Sequence, residues 1–206
     1  MIATLATFPP AELAAFLAAG IVLNLTPGAD VVFATASGVA GGPRAGAIAG
    51  LGVGLGSLWH VALAALGVSA ILVTHPAALA ALQYAGAAYL LWLAVQSWRA
   101  GATPQGRGER TPWAALRRGF VTNALNPKVA LFVLAFLPQF TDPARGPVWQ
   151  QILILGAIFT VTGTLITAGY GALAGWAGQR LAPRMRMMNK LAAGMFGALA
   201  ARLVWE

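Results

Sequence analysis

The sequence has no cysteine and little charge: 9% of its 206 residues are Asp, Glu, Lys or Arg, and only five are acidic. Without cysteine there is no disulfide framework, no thiol chemistry and no thiolate metal site. The scarcity of charge excludes more. No Asp, Glu, Lys or Arg occurs between residues 45 and 98, or between 146 and 179. Soluble domains carry about 25% charged residues, and a soluble chain of this length has no core large enough to hide so much apolar surface. With 59% of its residues hydrophobic, the chain reads as a polytopic membrane protein. In lipid, backbone polar groups must pair inside helices or a closed barrel. Long apolar runs without the period-two alternation of barrel strands favour helices. The N-terminus, "MIATLATFPPAEL", has no Lys or Arg before its apolar run, so no cleaved leader is expected.

About 20 apolar residues cross a bilayer as a helix. The pattern predicts six spans, near 11–38, 44–73, 77–98, 119–138, 148–178 and 187–204, separated by turns such as Thr74-His75-Pro76 and "FTDPARGP" (140–147). The net charge of +8 could suggest nucleic acid, but its distribution points elsewhere. Arg44, Arg99, Arg107, Arg110, Arg117, Arg118, Arg180, Arg184, Arg186 and Lys190 flank the connections on one side, against Arg145 and Arg202 on the other. This asymmetry makes the basic side cytoplasmic and puts both termini outside. The chain is expected to be a single membrane domain, 1–206, with a first half at about 1–100, a cytoplasmic loop at about 101–116 and a second half at about 117–206.

Two stretches break the apolar pattern. "LNLTPGAD" (23–30) and "NALNPKVALF" (123–132) each put a polar residue before a proline, with an ionisable residue close behind. Thr26 and Asn126 are good N-cap residues, and Pro27 and Pro127 would cost little at a first helical position. Each motif therefore reads as a helix that stops and restarts within the membrane, so the first and fourth helices are broken at Pro. Each half then continues with a long glycine-rich span, "AGAIAGLGVGLGSLW" and "ILILGAIFTVTGTLITAGYGALAG", and ends in a shorter span containing Ala-Gly. Three spans repeated must flip in the membrane, which gives an inverted pair of the kind found in many secondary transporters.

Charged side chains at the bilayer centre cost roughly 2.5–3.5 kcal/mol or more when they face lipid. Asp30 and Lys128 are therefore expected to line a central polar cavity, with Asp30 meeting an ammonium or carrying a proton and Lys128 meeting a carboxylate. Mutual neutralisation of the two is the structural alternative. Gly28 belongs to the first break. Asn24 and Asn123 lie next to the breaks, where they can satisfy freed backbone groups or contact a ligand. His60 is a site candidate by its depth alone, with interhelical hydrogen bonding an equal reading. Tyr89, Gln96 and Tyr170 read as packing or interface residues. Glycines 46, 50 and 54, 52 and 56, and 171 and 175 form small-residue ridges for close helix packing; such faces could also serve a homodimer.

The segments "LTPGAD", "RAGAIAGLGVGLGSLWHVALAALGVSAIL", "LQYAGAAYLLWLAVQSW" and "GFVTNALNPKVALFVLAFLPQF" together resemble the lysine exporter (LysE/RhtB) family of bacterial amino-acid efflux proteins, over nearly the whole chain. The resemblance implies a cytoplasmic-membrane exporter of amino acids or derivatives, driven by an ion gradient. The proton, carried by Asp30, is the candidate coupling ion, and no cofactor is expected. Two positions depart from the family's usual pattern. Ala29 stands where a second proline is common, and Ser57 where an acid often precedes Leu-x-His. The missing carboxylate argues against a basic substrate and for a neutral amino acid. Two rival functions are an intramembrane serine protease using Ser57 and His60, and a non-transporting scaffold. The first lacks a suitable Ser–His geometry, and the second gives no reason for ionisable residues at matching breaks.

Overall fold

Among the described residues of the computed structural model (2–68, 76–99, 107–177, and 190, 191, 193, 194, 196–198, 200 and 201) the backbone pairs within helices and no strand forms. A four-residue turn, α1 (Ile2–Leu5), leads to α2 (Pro10–Leu25), which starts at a proline in its first turn. α3 (Ala29–Leu63) runs on through a π-helical turn, Ala64–Val68. α4 spans Pro76–Arg99. α5 (Pro112–Ala124) and α6 (Pro127–Leu131) follow, and α6 continues as a π turn and a 3-10 turn to Phe140. α7 is Val148–Ala177. The described residues between 190 and 201 are helical.

Ala29–Gly67 and Val148–Ala177 are each long and apolar enough to cross a membrane. The pair Pro112–Ala124 and Pro127–Phe140, bent by 51°, passes the same test as one broken span. α3 is itself two arms, because Gly42 has φ 83° and ψ 178°, a backbone state that favours glycine. The arms double back there. Gly38 and Gly46 both press on Gly171, each so closely that no Cβ would fit, although two residues eight apart on a straight helix are about 12 Å apart.

The second arm of α3 runs antiparallel to α7: Gly46 meets the Gly171 backbone and Gly50 the Ala168 backbone, while Gly54 faces the Thr164 side chain and Gly156 the Val61 side chain. Its other ridge takes α5, with Gly52 against Leu116 and Gly56 against Phe120 and Asn123. The glycine ridges are thus spent on contacts within the chain. At the opposite end, side chains fill the space. Phe16, Phe132, Phe136, Phe140 and Phe159 form a buried aromatic cluster, in which the Phe132 and Phe159 rings stack at 4.7 Å and Phe16 meets Phe140 edge-on at 5.3 Å.

The two ends carry different charge. Arg145 forms a two-pronged pair with Glu12 at 2.8 and 2.9 Å and lies over the Phe8 ring. At the other end Glu109 pairs with Arg118 at 2.7 Å, and its backbone N–H donates to Ser37 Oγ at 3.1 Å. α5 begins seven residues before the expected start of the fourth span at 119, because Thr111 precedes it and Pro112 opens it, the arrangement a helix start favours. Arg117 and Arg118 fall in this polar opening, so hydropathy alone did not count it.

Candidate functional site

The two broken stretches meet. α2 ends at Leu25, and Thr26 is its C-cap, with φ −67° and ψ 122°. The Thr26 hydroxyl donates to the Val22 carbonyl at 2.6 Å. The residue that opens α3 is Gly28, in extended conformation and with no side-chain cap. Two expectations are corrected here: Thr26 closes the helix before the break and does not open the one after it, and Pro27 precedes the restart by two residues. The physical reason is local. A residue before proline is driven out of the helical region, and Gly28 adds a second extended residue, so the restart slips to Ala29. Gly28 has a further role, because a Cβ there would lie 3.0 Å from Lys128 Nζ. Glycine leaves room for the ammonium.

The second break follows the expected form. Asn126 is the N-cap of α6, Pro127 is its first residue, and the Asn126 Oδ1 accepts from the Lys128 backbone N–H at 3.0 Å. The other end of the same amide, Nδ2, donates to Asp30 Oδ2 at 2.8 Å. Asn123 Nδ2 donates to the same oxygen at 2.9 Å. Lys128 Nζ donates to the carbonyls of Leu23 and Thr26, both at 3.1 Å. Each break therefore houses the charge of the other. Asp30 is held by residues 123 and 126, and Lys128 by residues 23 and 26, the same two positions one hundred residues apart. The carbonyls that receive Lys128 end α2, where the helix dipole favours a cation. Asp30 and Lys128 are not among the ion pairs of the described residues, so each charge is met first by neutral groups of the opposite break.

The long helices tie down the flanks. His60 Nε2 donates to the Asn123 carbonyl at 3.0 Å. Asn24 Nδ2 donates to the Phe159 carbonyl and to Thr162 Oγ1, both at 3.3 Å, and the Tyr170 hydroxyl donates to the Leu25 carbonyl at 3.2 Å. So His60 and Asn24 tie the breaks to the long helices, and Tyr170, expected to be a packing or interface residue, bonds the first break. Tyr89's side chain lies outside the described residues, and Gln96 is exposed. Ser57 bonds Thr160 at 3.0 Å, so Ser57 and His60 have separate partners and form no nucleophile–base pair.

Asp30, Lys128, Asn24 and Asn123 line one cavity, together with Ser57, Thr160, Thr164 and Thr167. Its volume is about 20 Å³, room for one or two water molecules. Pockets that engulf small ligands run to about 300 Å³ or more, so the cavity is closed to any amino acid. Asp30, Asn123, Asn126 and Lys128 are all buried. The threonines of α7 were missed in the sequence, although a signal was present: positions 160, 164 and 167 share one helical face, an unusual run of hydroxyls in an apolar helix. Ser57, noted above as a departure from the family pattern, lies on the cavity wall.

Residues 21–206 match the family described as LysE type translocator. A homoserine/homoserine lactone efflux protein of Salmonella typhi is 33% identical over 205 residues, covering 92% of this chain and 94% of that protein. An uncharacterized membrane protein of Vibrio cholerae is 36% identical over 189 residues, covering 88% and 91%. A leucine efflux protein of an Enterobacter species is 30% identical over 200 residues, covering 91% and 92%. No solved structure matches the chain.

Proposed function

The chain belongs to the LysE type translocator family, and from that premise we propose that it is a secondary transporter exporting amino acids or their derivatives across the bacterial cytoplasmic membrane, with the substrate held between the two helix breaks. The observation that carries the site is the reciprocal housing of Asp30 and Lys128 by opposite breaks. Such groups are costly in lipid, and here they meet at a cavity where half-helix ends converge, the arrangement secondary transporters use for binding.

The same exchange supports an inverted repeat of three spans. α2 with the first arm of α3 forms the first span of one half. α5 with α6 and its continuation forms the first span of the other. The second arm of α3 and α7, each the second span of its half, pack antiparallel, as partners across a two-fold axis in the membrane plane would. Positive charge at Arg44, Arg110, Arg117 and Arg118 makes their end cytoplasmic and the Glu12–Arg145 end external. The phenylalanine cluster then seals the external side and the glycine contacts the cytoplasmic side. Because the cavity is too small for cargo, transport requires one half to rock against the other, as inverted repeats do. The coupling ion is the proton, with Asp30 as its carrier.

Homologues named for homoserine, its lactone and leucine favour a substrate with an uncharged side chain, in line with Ser57 in place of an acid. The test loads cells with lysine, threonine, leucine or homoserine by feeding dipeptides and compares efflux with and without the gene. One neutral amino acid should leave faster when the gene is present, and Asp30→Asn at normal protein level should abolish the difference. Unchanged efflux in that variant would remove Asp30 from the site.

A further inference from the structure

The cavity offers acceptors that lack donors. Asp30 Oδ2 receives two amide N–H groups, while Oδ1 of the same carboxylate has no partner among the described residues, although Asp30 is only 5% exposed. Asn123 repeats the pattern. A carboxylate oxygen only accepts, so the Asn123 amide must present its nitrogen to Asp30. That fixes Oδ1 as the end left over, and it too is buried and unpartnered among the described residues, on a side chain 1% exposed. Native proteins rarely leave buried acceptors unpaired, and such atoms ask for an explanation. Both side chains line the cavity, beside the hydroxyls of Ser57 and Thr160.

Lys128 is in the opposite condition. Two of its three N–H donors are spent on the carbonyls that close α2, and drawing it toward a ligand would strip that helix end of its cation. The site thus offers two unshared acceptors to a donor-rich cation once the halves part, beside a lysine already committed to the fold. We infer that the primary anchor of the substrate is its ammonium group, seated against Asp30 Oδ1 and Asn123 Oδ1, and that a free carboxylate is secondary. The inference rests on the reading that substrate binds between the breaks. The substrate class is then primary amines of amino-acid size, including those whose carboxyl end is masked as an amide or lactone. Hydroxy acids of the same shape are excluded, because an uncharged hydroxyl brings one donor and leaves at least one of the two buried acceptors unpaired.

The test uses the purified full chain in lipid nanodiscs, with binding read as ligand-dependent thermal stabilisation. Free leucine and homoserine come first, then leucinamide and homoserine lactone, then the matching 2-hydroxy acids, which replace the ammonium by hydroxyl without added bulk. Sites built around a hydrogen-bonding group reject analogues lacking it by large factors. The amide or lactone should bind within about tenfold of its parent and the hydroxy acid at least about a hundredfold more weakly. A hydroxy acid that binds while the amide or lactone fails makes the carboxylate the anchor and overturns the inference, yet leaves the site between the breaks standing. Equal loss of both analogues, or equal retention, also overturns it. If neither free amino acid stabilises the protein, or Asp30→Asn leaves their binding unchanged, the proposed site falls and the inference falls with it.

Discussion

Replacing Asn126 should separate two roles that one side chain now fills. Its Oδ1 caps α6 and its Nδ2 holds Asp30. Loss of an N-cap costs about 1 kcal/mol, within a range of about 0.5–2. Interhelical hydrogen bonds in membranes average about 0.6 kcal/mol and reach about 1.7, and a bond to a buried carboxylate belongs near the upper end. Asn126→Ala loses both and should destabilise by about 2.5 kcal/mol. Asn126→Ser keeps an oxygen for the cap but is too short to reach Asp30, so it should lose about 1.5 kcal/mol. Unfolding by increasing SDS in mixed micelles, followed by the fluorescence of the seven tryptophans, measures both. An alanine variant within about 0.5 kcal/mol of the parent, the range of an ordinary surface change, would refute the bridging role. Serine as damaging as alanine would show that the cap contributes nothing.

Three further outcomes are expected. Lys128→Met leaves the Leu23 and Thr26 carbonyls without their cation and should lower stability in the same SDS titration. Adding Asp30→Asn removes the buried carboxylate left without its compensating charge and should restore part of the loss, but not the part due to the Leu23 and Thr26 carbonyls; no restoration would show that the two charges are uncoupled. Gly46→Leu puts a side chain where the α7 backbone lies and should abolish folded protein in size-exclusion profiles. Gly169→Ala, with open space around it, should be neutral in the same profiles, and equal damage from both would contradict the packing described. Because the chain has no cysteine, single cysteines report sidedness cleanly. In intact cells a membrane-impermeant maleimide should label Ala144→Cys and spare Arg107→Cys, and the reverse pattern would invert the orientation.

Much of the site was legible because lipid makes polar residues conspicuous. Asp30 and Lys128 stood out against their surroundings, and the prolines marked where the helices stop. The restart at Pro127 could be read from Asn-Pro alone, since N-cap and first-turn preferences agree there. The restart after Pro27 could not, because Gly28 and Ala29 leave the register of the new helix open and tertiary contacts decide it. The α7 threonines escaped notice because their signal lies in the helical face that positions 160, 164 and 167 share, and not in any one residue. Nor could spacing say that each charge sits in the opposite break. The match of positions 23 and 26 with 123 and 126 emerges only when the halves are docked, and it depends on backbone carbonyls, which every residue carries.

The exchange of charges between halves also bears on how the protein is made. Asp30 leaves the ribosome more than ninety residues ahead of Asn123 and Asn126, so during synthesis its helix reaches the lipid with neither amide to receive the carboxylate. A fragment ending near residue 100 carries an acid with no berth, worth roughly 2.5–3.5 kcal/mol against stable insertion. Insertion of the leading half is expected to become fully favourable only once residues 123 and 126 arrive to receive Asp30. A gene split at the central loop should therefore yield product only when both pieces are expressed in the same cell.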